Sequence, residues 1–348
     1  MPAAAPAHGV HVLAAPRQGC RDDSSGSHSL SVQQDDDVRE VTWKSGRCRG
    51  SIRIEGEVEF TEDFTAIEAL SRGGEMRFEE DDGRTERVLE IIRDGDALAY
   101  EYRVDGDERP FDAPARAWFD DMLLKLFRTG FAAEERVAWM LQARGLDAVI
   151  QEIGQLRSDY VRRIYYQAAL AQSGMTAAQA GGLIRSAGAE ITSDYELAEL
   201  LIATADDRPF DETIRDAFID ASATLDSDYE HRRVLELVLA RGDLSARNVA
   251  AMLASADAIG SDYEKAELLV ALAEQYVDGP ELRSAYLRAA TSITSDYEKR
   301  RVLDAVLGRG ALSGTDVATV LEVAASMGSD YVTAELLVGL SGSDLSQA

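Results

Sequence analysis

The tripeptide Ser-Asp-Tyr recurs six times in this chain, beginning at Ser158, Ser193, Ser227, Ser261, Ser295 and Ser329, at spacings of 35, 34, 34, 34 and 34 residues. Self-similarity at such a period marks a stacked repeat protein, in which each unit buries its apolar face against its neighbours. The whole of the chain's second part is therefore expected to be a solenoid.

The local reading of each unit is two helices. In four copies the fourth residue is glutamate (Glu196, Glu230, Glu264, Glu298), so that Ser-x-x-Glu precedes an apolar run. That is the pattern of a capping box, with the serine hydroxyl accepting from the N3 amide and the glutamate reaching back to the serine amide. The aspartate between them falls at N1, where the helix dipole favours negative charge. Eighteen residues after each of the first five serines stands a second helix starter: Thr176, Asp211, Ser245, Gly279 or Ser313. Apolar residues follow at helical spacing, as in Leu268, Leu269 and Leu272 of a first helix, or Val320, Leu321, Ala324 and Met327 of a second. Their stripe is wide enough to be buried against two neighbours.

Alternate units differ. The copies at Ser227 and Ser295 continue with Arg-Arg-Val-Leu, whereas those at Ser193, Ser261 and Ser329 carry Ala-Glu-Leu-Leu. The sixth position after the serine then reads Glu199, Arg233, Glu267, Arg301, Glu335. Equivalent helices stack about 8–10 Å apart, within reach of these side chains, so the alternation predicts an acid-base ladder along one surface. Exposed pairs are each worth about 0–1 kcal/mol, so such a ladder sets register more than stability.

A chain of 348 residues suits about two domains, and the remainder reads differently from the repeats. Residues 1–38 are Ala/Pro-rich, Ser/Gly-rich and acidic, the composition of a disordered tail. Residues 39–111 alternate apolar and polar side chains (Ile52, Ile54; Val58, Phe60; Met76, Phe78; Leu98, Tyr100, Tyr102, Val104) between glycine-bearing turns, which predicts an antiparallel β domain of about five or six strands. Residues 112–131 read as a connecting helix with Trp118, Phe119, Leu123, Leu126 and Phe127 on its apolar side. From 132 to 348 the α-solenoid runs through about six two-helix repeats, opening on a degenerate helical pair over 133–156 and closing on the polar Ser341-Gly342-Ser343-Asp344. The fold class expected is α+β, a small antiparallel β domain followed by an α-solenoid.

Charge narrows the partners. The net charge of −27 is spread over both parts, with 17 basic and 28 acidic residues in 1–131 and 19 and 35 in 132–348. Nucleic acid and anionic membranes need clustered Lys and Arg, and neither is expected as a partner. No run of about 18 apolar residues predicts a transmembrane segment, and the start of the chain lacks the pattern of a secretory signal, which points to the cytoplasm. Cys20 and Cys48 allow at most one disulfide and leave the compartment open.

Reactive groups do not converge in the sequence. His8, His11 and His28 lie in the tail and His231 on the first turn of a repeat helix, and no zinc, phosphate-loop or nucleophile-elbow motif occurs. No catalytic, cofactor-binding or metal residue is assigned, and an enzyme is not expected. Gly46, Gly50, Gly56, Gly73 and Gly74 read as turn residues at strand ends. The candidate interaction or structural ladder consists of Tyr160, Tyr195, Tyr229, Tyr263, Tyr297 and Tyr331 together with the five alternating charges. Two readings compete for the tyrosines. In one, each ring packs against the next unit with its hydroxyl at the rim. In the other, the row lines one edge and binds an extended peptide or a sugar. Arg232-Arg233 and Arg300-Arg301 read as partners of neighbouring acids.

The succession of Glu55-Gly56-Glu57-Val58-Glu59-Phe60-Thr61, Arg109-Pro110-Phe111-Asp112 and the Ser-Asp-Tyr-Glu phrases resembles the carboxy-terminal soluble portion of a group of bacterial proteins. Some of these follow a membrane metallopeptidase region similar to that of β-lactam-sensing receptors. The resemblance spans about residues 40–340. It implies a non-catalytic sensory or regulatory module of an envelope-associated system, outside the cytoplasm. The peptidase's zinc motif and membrane helices are absent here, so peptidase activity is not implied. The tetratricopeptide pattern is absent despite the similar period. The functional expectation is a protein-interaction or scaffold module, with a protein partner and no cofactor. The alternative is a ligand-sensing domain taking a small molecule, and a hydrolase is the third reading.

Overall fold

Between residues 28 and 109 the alternation of apolar and polar side chains becomes a sheet. The computed structural model of the chain describes residues 28–35, 37–207, 209–277, 279–307, 309 and 312–343. It divides into two compact units with the boundary between Trp139 and Met140. In the first unit the strands are β1 (His28–Asp35), β2 (Val38–Ser45), β3 (Cys48–Glu55), β4 (Val58–Phe60), β5 (Ile67–Leu70), β6 (Glu75–Asp81), β7 (Glu86–Asp94), β8 (Ala97–Val104) and β9 (Asp107–Arg109). Seven form one antiparallel sheet in the order β1-β2-β3-β6-β7-β8-β9, and β4 and β5 pair as a separate hairpin.

The pairing aligns Val41, Ile52, Phe78, Leu89 and Tyr102 in one row across five strands, with Ile54, Met76 and Ile91 in the next. These side chains are buried under helix α1 (Ala113–Phe127), which contributes Trp118, Phe119, Met122, Leu123, Leu126 and Phe127 at helical spacing. Asp112 starts that helix by accepting from the Ala115 amide at 3.2 Å.

Four expectations change here. The tail of residues 1–38 is not disordered throughout, because His28–Asp35 pairs along its length with β2, which itself begins at Val38, and so satisfies its backbone in the sheet; residues 1–27 and 36 lie outside the described residues. The strands number nine among the described residues, not five or six, since β1, β2, β7 and the short β9 carry weak or interrupted alternation. The helix of residues 112–131 is no mere connector, because α1 supplies seven of the seventeen buried side chains of the sheet's own core. Gly50 is not a turn residue: it lies within β3 opposite Trp43, whose indole crosses the place where a Cβ would stand. Glycine inside a strand commonly marks such a close approach.

One polar group sits in this core. Glu80 is on the same face of β6 as Met76 and Phe78 and is buried. It accepts from Trp118 Nε1 at 3.0 Å and pairs with Lys125, whose ammonium stands 5.2 Å from the Trp43 ring centroid. A buried carboxylate is tolerable on these terms, with a donor and a counter-charge in place.

Past α2 (Ala133–Arg144) and α3 (Leu146–Ile153), the repeats of the second unit begin. Their first helices are α4 (Asp159–Leu170), α6 (Asp194–Asp207), α8 (Asp228–Arg241), α10 (Asp262–Tyr276), α12 (Asp296–Leu307) and α14 (Asp330–Ser341). Their second helices are α5 (Ala177–Glu190), α7 (Glu212–Ser222), α9 (Ala246–Ser255), α11 (Pro280–Thr291) and α13 (Gly314–Ala325). Each first helix packs on the next first helix and each second helix on the next second helix, giving the two layers of an α-solenoid. Every one of the five expected second-helix starters is the N-cap observed.

Leu201, Leu235, Leu269 and Leu303 occupy one repeat position and are all fully buried. Leu337 holds the same position in α14 but is 40% exposed, and Leu321, expected to be buried, is 45% exposed on α13. Both side chains point where a following repeat would stand, and among the described residues none follows. Leu269→Ala should therefore cost about 2–5 kcal/mol, whereas Leu337→Ala costs less than about 1 kcal/mol. Urea denaturation of the two variants followed by circular dichroism checks this; equal losses would mean that burial between repeats does not hold the stack.

Candidate functional site

The six Ser-Asp-Tyr phrases open the six first helices, so their side chains gather along one edge of one layer. Each residue of the phrase does something different. The hydroxyls of Ser193, Ser227, Ser261, Ser295 and Ser329 accept from the amide three residues on at 3.3–3.4 Å, capping the helix, while Ser158 makes no such bond. The glutamate does not reach back to close a capping box, because the serine amide already has an acceptor. That acceptor is the aspartate of the preceding repeat. Ser193 donates to Asp159 at 2.8 Å, Ser227 to Asp194 at 2.7 Å, Ser261 to Asp228 at 2.7 Å, Ser295 to Asp262 at 2.7 Å and Ser329 to Asp296 at 2.9 Å. The amide one residue earlier joins it, from Thr192, Asp226, Gly260, Thr294 and Gly328 at 2.8–3.2 Å, and the hydroxyls of Thr192 and Thr294 donate to Asp159 and Asp262 as well. Complete capping boxes occur in the other layer, at Thr176 with Gln179, Ser245 with Asn248 and Ser313 with Asp316.

The glutamates, released from capping, join the arginines. Arg233 pairs with Glu199 at 2.9 Å and with Glu230 at 3.1 Å, and Arg301 with Glu267 at 2.5 Å and with Glu298 at 2.7 Å. These two rungs match the expected ladder. The other two steps run through the preceding arginine: Arg232 pairs with Glu264, and Arg300 with Glu335. Each Arg-Arg pair thus reaches backward with its second member and forward with its first, linking α6, α8, α10, α12 and α14, and Arg163 on α4 adds Glu196 at 2.5 Å. Burial works against the charge of Arg232, but its hydrogen bonds to Glu264 and Glu236 outweigh that and raise its pKa.

The tyrosines project outward beside this network. Tyr160, Tyr195, Tyr229, Tyr263, Tyr297 and Tyr331 are 50–70% exposed. The reading in which each ring packs against the next unit does not hold; the ring leaves from the second residue of the helix, on the side opposite the buried leucines. Arg163 and Arg232 lie 5.2 and 5.7 Å from the ring centroids of Tyr160 and Tyr229, and Tyr331 donates to Glu335 at 2.7 Å.

A further row was not anticipated in the sequence. Four residues after the serine, His231, Lys265 and Lys299 are buried and each meets a serine at the end of the second helix, Ser255 at 2.8 Å, Ser292 at 2.8 Å and Ser326 at 3.1 Å. The variety of residue types at this position hid it. The aspartate ties were equally missed, though a signal existed: the aspartate persists in the copies that lack glutamate.

Asp262→Ala should destabilise by about 1–2 kcal/mol, since it strands the Thr294 and Ser295 amides. Asp330→Ala, at the equivalent but exposed end position, changes stability by no more than about 0.5 kcal/mol. Equal effects in thermal denaturation would show that the tie between repeats contributes nothing. His231 supplies a pH test, because burial lowers its pKa against the opposing pull of Asp228. The folded state then disfavours a proton that the unfolded chain accepts near its ordinary pKa of about 6.5. Stability is full above that value and declines as pH falls below it. His231→Lys, which copies Lys265 and Lys299 of the next two repeats, should reduce this decline; an unchanged pH profile from about 7.5 to about 5.5 would rule it out.

Among the described residues no group of three His, Cys, Asp or Glu converges as a metal site would, and no helix is long and apolar enough to cross a membrane. A hollow lined by Gln167, Leu170, Ala171, Thr204 and Asp207 has a cavity volume of about 10 Å³, room for about one water and far below the roughly 300–1,000 Å³ of small-molecule pockets. Cys48 is disulfide-bonded, and the chain's other cysteine, Cys20, lies outside the described residues. No family model, curated protein or solved structure matches the chain.

Proposed function

We propose that this protein is a non-catalytic binding module that holds an extended polypeptide along the tyrosine edge of its solenoid. The observation that carries the reading is the exposure of all six tyrosines at one repeat position, 50–70% each. Isolated exposed aromatics are ordinary, but six in phase are not accounted for by the stack itself, since the capping, the ties between repeats and the ion pairs are all performed by other residues. Tyrosine offers a large rigid surface with a polar tip and loses little conformational freedom on binding, which is why it is enriched where proteins recognise one another. The edge runs across successive helices, so its ligand is long and thin rather than compact.

The disulfide at Cys48 supports placing the module in an oxidising compartment, in keeping with the envelope-associated system implied by the resemblance of its strand and repeat phrases. Selection from a library of random sixteen-residue peptides tests the binding role. The native protein should enrich a recognisable set, and a variant with Tyr195, Tyr229, Tyr263 and Tyr297 all changed to Ala should enrich none of it. If both proteins select the same peptides, the tyrosine edge is not the site.

A further inference from the structure

We propose, building on the tyrosine edge as a peptide site, that its ligand is a proline-rich segment in the polyproline II conformation carrying a basic residue at every third position. Spacing points there first. The tyrosines sit one per helix on first helices packed side by side, so the row of rings repeats with the helices, whose axes lie about 8–10 Å apart. A polyproline II helix has three residues per turn and rises about 3.1 Å per residue, so one turn covers about 9.3 Å and returns the same face to the surface. A β-strand matches poorly, because its side chains alternate and a three-residue step presents opposite faces in turn. Six tyrosines therefore register with a segment of about sixteen residues in the polyproline form.

The chemistry of the rings points the same way. Exposed aromatic faces are the surface on which prolines dock in polyproline recognition, and the preformed helix reduces the entropy lost on binding. Charge then selects the residues between the prolines. The arginines of this edge, Arg163, Arg232, Arg233, Arg300 and Arg301, are each paired with an acid of the chain itself. The excess charge is negative, with 35 acidic against 19 basic residues over 132–348. A cationic ligand meets a complementary field, and an arginine of the ligand gains a second contact over a tyrosine face. Arg163 and Arg232 already adopt that arrangement within the chain.

The test uses the full chain and four fluorescently labelled sixteen-residue peptides in anisotropy titrations. One repeats Pro-Pro-Arg; a second has the same composition with the arginines at irregular intervals; a third replaces proline by glycine and serine at equal charge; a fourth replaces arginine by glutamate. The regular peptide should bind at least tenfold more tightly than the other three. Tyr229→Ala with Tyr263→Ala should weaken it at least tenfold, while Tyr229→Phe with Tyr263→Phe, which keeps the rings, stays within about threefold. Circular dichroism confirms that both variants are folded, as exposed positions allow. Equal affinity for the regular and the proline-free peptides overturns the polyproline ligand, yet leaves the peptide site standing if the alanine variant still weakens both. Equal binding to the native and alanine proteins overturns the site along with the ligand. Absence of binding by all four peptides overturns the ligand proposed here, and the library selection then decides the broader role independently.

Discussion

The solenoid depends on a carboxylate held between two helix starts. Asp159, Asp194, Asp228, Asp262 and Asp296 each stand in the first turn of their own helix and accept two amides at the beginning of the next. A helix N-terminus has four amides without intrahelical partners, and here the preceding repeat supplies an acceptor for them. One charge therefore serves two dipoles. The hydrogen bonds also act on the carboxylate: for Asp262 burial is the largest single influence and raises its pKa, but the bonds from Thr294 and Ser295 together bring it below the ordinary value. The tie is thus strongest at neutral pH, and it is lost only as the carboxylate is protonated in acid.

Once the serine amide is occupied from outside, the rest of the first turn is free to make other contacts. The glutamate three residues on, no longer needed as a cap, pairs with an arginine, Glu196 and Glu264 with one on the preceding first helix and Glu230 and Glu298 with one in their own helix. The tyrosine between aspartate and glutamate projects outward, while the aspartate is drawn to the next repeat and the glutamate to an arginine. The next residue, at His231, Lys265 or Lys299, turns inward and fastens the two layers through a serine. One helical turn thus carries a tie, a displayed ring, an ion-pair partner and an interlayer polar contact, before the leucines of the core begin.

Much of this architecture can be read from the chain alone, and the limits are physical. The helix boundaries are legible because Thr176, Asp211, Ser245, Gly279 and Ser313 are residues that favour helix starts for local reasons, which spacing reveals. The strands β3, β6 and β8 are legible because one of their faces is buried under α1. Strand β1 is not, since its stability comes from pairing with β2 and not from a hydrophobic pattern of its own. The capping-box reading of Ser-x-x-Glu fails for a related reason: local sequence shows which groups are able to bond, whereas the neighbouring repeat decides which of them do. The tyrosine row was visible as a row, but its exposure depends on where the other side chains of the turn are drawn.

The ion pairs impose a rule of parity. Units with two arginines alternate with units that have alanine and glutamate in their place, and every rung joins one kind to the other. Excising or duplicating a single unit would set two acidic helices, or two basic ones, side by side and leave their charges facing like charges. An array built this way lengthens or shortens without conflict only in steps of two, so its natural module of inheritance is the doublet rather than the single repeat.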